Sequence, residues 1–186
     1  RDDIGLYQQH AALLGKRTAE MHLALASSDD PAFAPEAYSS FDRRSAYQSR
    51  RNLVGRVLRT MRAKLSLLSP EGQELARAVL AQERAILARF EPLLHQGIDA
   101  LRIRTHGDFH LDQALWTGKD FVIIDFDGGH DVALSERRRK RSALRDVAGM
   151  IRSFHYAAYT GLYEGIVRES DRARTQPWAD MWHAWI

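Results

Sequence analysis

The residues best suited to chemistry lie in two short segments rich in acidic and amide side chains. The first reads His-Gly-Asp-Phe-His-Leu-Asp-Gln over residues 106–113, and the second reads Ile-Ile-Asp-Phe-Asp-Gly over residues 123–128. Transfer of a phosphoryl group needs a carboxylate that accepts or orients the proton of the attacking hydroxyl, and oxygen ligands for Mg²⁺. Asp108 is therefore the candidate base, and Gln113 and Asp125 are the candidate metal ligands.

The local sequence predicts a β-hairpin that brings these two segments together. Residues 113–116 and 121–126 are short apolar runs, and Thr117-Gly118-Lys119-Asp120 between them is typical of a turn. Asp108 then lies on a loop before the first strand, and Asp125 lies at the end of the second. Since a hairpin folds those ends together, the two carboxylates and the amide side chain between them are expected around one cleft.

Most of the remaining sequence has the three-and-four spacing of amphipathic helices. We expect five helices: about residues 4–27, about residues 42–67, one from the Ser69-Pro70-Glu71 start signal to Gly97, one capped by Ser142, and one from Trp178 after a polar stretch that ends at Pro177. The apolar face of the fourth helix is expected to consist of Leu144, Val147, Ile151, Phe154 and Ala158. The predicted fold class is mainly helical α+β, with the small β-hairpin carrying the active site.

Length and composition narrow the classes of protein that this chain can be. The chain has 186 residues and a net charge of +3. It has no cysteine, which excludes disulfide scaffolds and cysteine-ligated zinc sites. No apolar run approaches the roughly 20 residues of a membrane span, and no signal peptide is visible, so we expect a cytoplasmic protein without a membrane partner. Because position 1 is Arg and the last segment is amphipathic, we expect an excerpt of a longer chain.

A run of five basic residues, 137–141, is the feature that favours a nucleic-acid partner. No aromatic side chains are interleaved with this run for stacking on bases, and the net charge of the whole chain is small. We therefore expect a solvated basic turn and no nucleic-acid partner.

The two chemistry-bearing segments resemble those of the aminoglycoside phosphotransferase-like kinases, which share the two-lobed protein-kinase fold. That family carries H-G-D-x-H-x-x-[NQ] followed by I-D-[FW]-[DE], and this chain has H-G-D-F-H-L-D-Q and I-D-F-D. The resemblance is closer to the maltokinases, including those fused to trehalose synthase. Their L-G-x-R-T-A-E-x-H motif matches residues 14–22, and their S-E-R-R-x-K-x-S-x-L-R-D-V-A-G-M-x-R-S-F motif matches residues 135–154. Gln113 also agrees with that subgroup, because the general pattern has Asn there.

The resemblance implies the fold, the reaction and the partners. Residues 1–186 would be the C-terminal catalytic lobe of a two-lobed kinase, with the catalytic loop and metal-binding hairpin at 101–128. The implied reaction transfers a phosphoryl group from ATP to maltose, with Mg²⁺, and gives maltose 1-phosphate in the route from trehalose to glycogen. Trehalose synthase would be a fused or associated partner. No Gly-rich phosphate loop is present in these residues, so we expect the N-terminal ATP-binding lobe to be absent and the isolated lobe to be inactive.

Other residues receive supporting roles. Five are expected to anchor the loop or line its edge rather than to do chemistry: His106, His110, Asp127, Arg145 and Asp146. His106 and His110 are expected to bond backbone, and Asp146 to cap its helix or hold the loop. Three aromatic residues are candidates for stacking on the sugar, although Trp178 and Trp182 could equally be core: Tyr159, Trp178 and Trp182.

Two alternatives stay open on the sequence alone. One is another small-molecule kinase of the same fold, acting on an aminoglycoside, choline or homoserine. The other is a kinase-like module that docks on trehalose synthase without catalysis, against which the intact Asp108, Gln113 and Asp125 argue.

Overall fold

The structure is a computed structural model that describes residues 7–129, 132–164 and 166–185. The chain divides into two compact units. Unit 1 comprises residues 1–36 and 101–186, and unit 2 comprises residues 37–100. Both segments that carry candidate chemistry therefore belong to unit 1.

The described part of the chain is mainly helical, as predicted. Its α-helices are α1 (Tyr7–Leu25), α2 (Ser40–Lys64), α3 (Pro70–Ala81), α4 (Glu83–Ala88), α5 (Pro92–His95), α6 (Leu134–Arg137), α7 (Leu144–Tyr163) and α8 (Arg172–Trp185). None of the helices in these ranges is long and apolar enough to cross a membrane.

Four short strands form two small sheets. Strands β1 (Glu36–Ala37) and β2 (Leu101–Arg102) form one pair, and β3 (Ala114–Trp116) and β4 (Phe121–Ile123) form an antiparallel hairpin. In the hairpin register Ala114 pairs with Ile123 and Trp116 pairs with Phe121. Gly118 in the turn has a φ of 91°, a left-handed conformation that glycine adopts without a steric penalty. The predicted hairpin is therefore present.

Unit 1 has a core made by helices α1 and α7 and the loop before β3. Four buried apolar side chains form its centre: Leu14, Phe109, Met150 and Phe154. Half-buried side chains from the hairpin and from α8, such as Phe121 and Trp182, pack against this centre. The core thus clamps the loop that contains Phe109 between two long helices.

Unit 2 is a set of helices with fewer fully buried side chains. Leu58 of α2 and Ala76 of α3 are its buried apolar residues among those described. Helix α2 begins with a capping box, in which the Ser39 hydroxyl accepts from the Asp42 N–H and the Asp42 carboxylate accepts from the Ser39 N–H. Arg43 donates to the carbonyl of Gln96, which ties α2 to the end of α5.

The predicted third helix is wrong, because the segment from Pro70 to Gly97 forms three helices rather than one. Helix α3 ends at Ala81, with Gln82 as its C-cap. Helix α5 starts anew at Pro92, which has no N–H for a continuing helix and suits a first helical position. Leu75 of α3 is 71% exposed, although it is apolar.

Two details of the C-terminal helices also differ from the prediction. Ala143, not Ser142, is the N-cap of α7, although the Ser142 hydroxyl still accepts from the Leu144 N–H at 3.3 Å. The final helix begins at Arg172 and contains Pro177, so the polar stretch is partly helical. The predicted apolar face of α7 is right for Phe154, which is buried, and wrong for Leu144 and Ile151, which are exposed. The other buried residues of this helix are Asp146, Met150 and Leu162.

Candidate active site

The loop that contains Asp108 is held by a buried carboxylate on α7. Asp146 is 2% exposed. Its Oδ2 atom accepts from the backbone N–H of His106 at 2.8 Å, and its Oδ1 atom accepts from that of Gly107 at 3.0 Å. His22 on α1 donates from Nε2 to the same Oδ2 atom at 2.9 Å. Two helices therefore fix the backbone immediately before Asp108.

Two opposing effects act on the pKa of Asp146. Burial raises it, but hydrogen bonds from His22 and from the N–H groups of Gly107 and His106 lower it, and the resulting pKa lies below its usual range. Asp146 is therefore a buried anion whose charge is balanced by donors. The structure places it against the loop backbone, whereas its neighbour Arg145 is exposed on α7.

Helix α7 holds the same loop at two further points that sequence reasoning missed. A Cβ atom added at Gly149 would lie 2.7 Å from the carbonyl oxygen of Phe109, so only glycine allows this approach. The Ser153 hydroxyl accepts from the Leu111 N–H at 3.0 Å. Both residues follow Asp146 at helical steps of three and four, which is the signal that could have identified this face.

The hairpin brings the two predicted metal ligands into direct contact. Gln113 donates from Nε2 to Asp125 Oδ2 at 3.2 Å, and the Gln113 carbonyl accepts from the Ile124 N–H at 3.0 Å. Asp125 has a φ of 63°, which is uncommon for a residue other than glycine. Such conformations often occur at functional sites. The turn of the backbone at Asp125 sets its carboxylate beside Gln113.

His106 joins the loop to the end of β4. It is 1% exposed, and its Nε2 atom donates to the Ile124 carbonyl at 2.8 Å. Its ring contacts those of Phe109 and Phe126, with centroids 5.1 and 4.8 Å away. Among the described residues its Nδ1 atom has no hydrogen-bond partner. The buried imidazole therefore contacts both chemistry-bearing segments.

Two glycines with left-handed backbone conformations lie where those segments meet. Gly107 and Gly128 both have positive φ values, and a Cβ atom added at Gly107 would lie 3.7 Å from the Cα atom of Gly128. Asp108 follows directly and is exposed. Within the described ranges Asp108 forms no hydrogen bond or ion pair, so its carboxylate is available to a ligand.

The remaining loop candidates lie at the edges of this arrangement. His110 was expected to bond the backbone, but its ring faces side chains instead. Its Nε2 atom lies 3.4 Å from Gln113 Nε2, and its Nδ1 atom lies 3.6 Å from an Asp112 carboxylate oxygen. The Asp127 carbonyl accepts from Arg137 at 3.2 Å, and its carboxylate lies 3.8 Å from the same guanidinium. Asp127 is therefore tied to the segment that follows the hairpin.

A bidentate ion pair joins α1 to the turn of the hairpin. Arg17 donates from Nε and Nη2 to the two carboxylate oxygens of Asp120, at 2.7 and 2.6 Å. The hydrogen bond from Arg17 lowers the pKa of the Asp120 carboxyl, and the pKa of Arg17 is raised. Sequence reasoning missed this pair, which orients the hairpin relative to α1.

Two of the three aromatic candidates line a cavity between α7 and α8, and Tyr159 is not on its wall. This cavity has a volume of about 620 Å³, and Trp178 and Trp182 are on its wall. Trp182 also packs edge-on against the core residue Phe154, with ring centroids 5.8 Å apart. The Tyr159 hydroxyl donates to the carboxylate of Asp180 on α8. Trp182 therefore belongs at least partly to the core of unit 1.

Comparison of the sequence with known proteins finds one family and several relatives. Residues 3–131 match the family described as the phosphotransferase enzyme family (APH). The glucosamine kinase of Mycolicibacterium smegmatis is 32% identical over 168 residues, which cover 87% of this chain and 38% of that protein. The glucosamine kinase of Streptacidiphilus jiangxiensis is 29% identical over 147 residues, covering 78% of this chain and 30% of that protein.

Glucosamine kinases of known structure have a similar fold. A glucosamine kinase in complex with glucosamine, ADP and inorganic phosphate has a TM-score of 0.74 at 24% identity, covering 96% of this chain and 38% of that chain. A second crystal form of a glucosamine kinase, form B, has a TM-score of 0.70 at 25% identity over 94% of this chain. The chain thus spans less than two fifths of the length of these proteins.

Proposed function

Because the chain belongs to the phosphotransferase enzyme family, we propose that it is the catalytic lobe of an ATP-dependent sugar kinase. The observation that carries this proposal is the contact between Gln113 and Asp125 at 3.2 Å, beside the exposed carboxylate of Asp108. Phosphoryl transfer depends mainly on positioning and on neutralising charge, and this arrangement supplies groups for both.

In this proposal Asp108 accepts or orients the proton of the sugar hydroxyl that attacks the phosphoryl group. Its carboxylate is exposed, whereas the backbone just before it is fixed by Asp146 through the N–H groups of His106 and Gly107. A carboxylate that is exposed to a ligand and attached to a fixed backbone is suited to proton transfer at a defined position.

The residues at the hairpin fit Mg²⁺. Gln113 and Asp125 offer an amide oxygen and carboxylate oxygens, which are hard donors. Mg²⁺ in phosphoryl-transfer sites commonly keeps waters and phosphate oxygens among its ligands, so two protein ligands are enough to hold it. When bound, the ion would neutralise charge on the transferring phosphate.

Residues 1–186 then correspond to a C-terminal lobe, with residues 101–128 as the catalytic loop and metal-binding hairpin. The sequence contains no G-x-G-x-x-G loop to cover the nucleotide phosphates. We therefore expect these 186 residues alone to be inactive, and ATP phosphorylation of a sugar to require the longer polypeptide.

Two acceptors are supported by different observations. The names of the relatives favour glucosamine, whereas the motifs at residues 14–22 and 135–154 resemble those of maltokinases and favour maltose, with trehalose synthase as a partner. In either case Tyr159, Trp178 and Trp182 are the candidates for contacts with the sugar ring.

The proposal is tested by assaying the polypeptide that contains both lobes for ADP release with glucosamine, maltose, choline, homoserine and an aminoglycoside. A sugar-dependent signal that needs Mg²⁺ supports it, and the preferred sugar identifies the acceptor. Turnover with choline, homoserine or the aminoglycoside but with neither sugar would show a different kinase. No turnover with any of them, at intact nucleotide binding, would favour a non-catalytic module.

A further inference from the structure

The net positive charge of this protein comes from unit 2. Residues 37–100 contain eleven Lys and Arg against six Asp and Glu, a net charge of +5, whereas unit 1 contains sixteen against eighteen, a net charge of −2. Helix α2 alone carries eight basic residues and one Asp. The chemistry of unit 1 uses none of them, so this charge needs its own explanation.

Part of this charge lines a groove on one face of α2. The groove has a volume of about 560 Å³ and a mainly polar wall. Its α2 residues recur at helical steps, and Glu83 and Leu87 of α4 form the opposite side; the α2 residues are Gln48, Arg51, Asn52, Gly55, Arg56 and Arg59. All of them belong to unit 2.

The three arginines of the groove lack an anionic partner among the residues that the structure describes. Within the described part of the chain Arg51, Arg56 and Arg59 form no ion pair, and all three are exposed. The carboxylate of Glu83 is engaged by Arg62. Three guanidinium groups around one concavity repel each other, so an anion that enters the groove would relieve that repulsion.

Gly55 shapes the floor of this groove. A Cβ atom added there would lie 3.3 Å from the Nη1 atom of Arg59, which shows that this guanidinium folds back over the helix at the glycine. A glycine inside a helix costs about 0.5–1 kcal/mol relative to alanine. The close approach of Arg59 is a physical reason for a glycine at this position.

We propose that this groove, the arginine groove, binds a small phosphate ester that carries hydroxyl groups. Guanidinium groups pair with phosphate oxygens through paired, charge-assisted hydrogen bonds. The amides of Gln48 and Asn52 and the carboxylate of Glu83 supply acceptors and donors for hydroxyls. The volume suits a small molecule, whereas a nucleic acid needs a longer basic track. The site is independent of the proposed kinase reaction.

The test measures binding of glucose 6-phosphate and inorganic phosphate to the 186-residue chain by calorimetry, with glucose as the uncharged control. We expect glucose 6-phosphate to bind, to bind more tightly than inorganic phosphate, and to weaken at high salt, and glucose not to bind. Arg56→Gln should weaken binding about tenfold, and the triple change of Arg51, Arg56 and Arg59 to Gln should abolish it. Arg77→Gln removes the same charge from α3, outside the groove, and should leave affinity unchanged.

Gly55→Ala provides a variant that does not threaten the fold. It should raise or preserve thermal stability while weakening binding, because the new methyl group displaces the Arg59 guanidinium. Amide resonances of Gln48–Arg59 and of Glu83 should shift on adding the ester.

Several outcomes would overturn the assignment. Equal loss of affinity in Arg56→Gln and Arg77→Gln would show diffuse charge rather than a site. Shifts confined to residues 106–128 would show that the ester binds at the active-site loop. Tighter, arginine-dependent binding of a DNA or RNA oligonucleotide would show a nucleic-acid surface instead.

Discussion

The two units of this protein use their polar residues in opposite ways. In unit 1 a buried carboxylate, Asp146, receives hydrogen bonds from two backbone N–H groups and from His22, and so fixes one loop. In unit 2 eight of the eleven Lys and Arg residues lie on α2, while only Leu58 and Ala76 among the described residues are buried apolar ones.

A buried polar network is directional, so it holds a loop in one conformation, as the proposed role of Asp108 requires. The small apolar core of unit 2 makes fewer directional contacts than this network. Its exposed basic face leaves positive charge available to a soluble ligand.

The largest effect is expected at Asp108 of unit 1. Asp108→Asn keeps the shape and removes the base, so the polypeptide with both lobes should fold normally and lose about 100-fold to 10,000-fold in kcat. Asp112→Asn, four residues away on the same loop with an exposed side chain, is the control and should retain most turnover. A coupled ADP assay decides, and equal turnover of both variants would remove Asp108 from the role of base.

The next effect concerns the network itself. Asp146→Ala leaves two buried N–H groups and His22 without their acceptor, and should lower the free energy of unfolding by about 3 kcal/mol. Asp29→Ala, at an exposed loop position, removes the same charge and should have no measurable effect. Urea unfolding measures both. If hydrogen exchange showed faster opening of α2 than of α7 in Asp146→Ala, the separation of the two units would be wrong.

The loss of stability in Asp146→Ala should depend on pH. Because the pKa of Asp146 is lowered in the folded protein, its contribution to stability is present above the unfolded value of about 3.9 and is lost as the pH falls through the folded pKa. The gap in melting temperature between the wild type and Asp146→Ala should therefore narrow below about pH 4. A gap that stays constant down to strongly acidic pH would contradict the lowered pKa.

A matched change in unit 2 should act through packing alone. Leu58→Ala removes a side chain that is 2% exposed and should destabilise unit 2 by about 2–3 kcal/mol. Val57→Ala, at the neighbouring position and 49% exposed, should cost well under 1 kcal/mol. Hydrogen exchange should show loss of protection in α2 and α3 for Leu58→Ala, with the N–H groups of His106 and Gly107 unaffected.

The smallest effect distinguishes two glycines of α7. Gly149→Ala should destabilise the protein by about 1–2 kcal/mol, because its Cβ would lie 2.7 Å from the Phe109 carbonyl and would push the loop away. Gly161→Ala meets no atom within 4 Å and should stabilise the helix by about 0.5–1 kcal/mol. Opposite signs in thermal unfolding confirm the close approach, whereas the same sign in both would contradict it.

Local patterns in the sequence were enough for several elements. The hairpin was predicted because apolar runs flank a turn with Gly118, and helices α1 and α2 were predicted because their apolar residues recur at steps of three and four. The third helix was wrong, because the breaks at Gln82 and Pro92 interrupt a spacing that otherwise continues.

The buried face of α7 shows where such patterns fail. Apolar spacing favoured Leu144 and Ile151, which are 71% and 44% exposed, whereas the buried positions include the charged Asp146. Hydropathy assigns a carboxylate to solvent, because an isolated charge is costly to bury. Only donors from elsewhere in the chain make that burial favourable, and they cannot be read from the helix itself.

The sequence alone therefore determined which residue types could carry out phosphoryl transfer, and that a hairpin would bring Gln113 and Asp125 near each other, because these features depend on neighbours within about a dozen positions. The arrangement that holds Asp108 depended on the folded chain. Asp146 is 40 positions from His106 and 124 positions from His22. Which distant donors meet one buried carboxylate is set by the packing of α1 and α7, since hydrogen bonds form only at short distances and restricted angles.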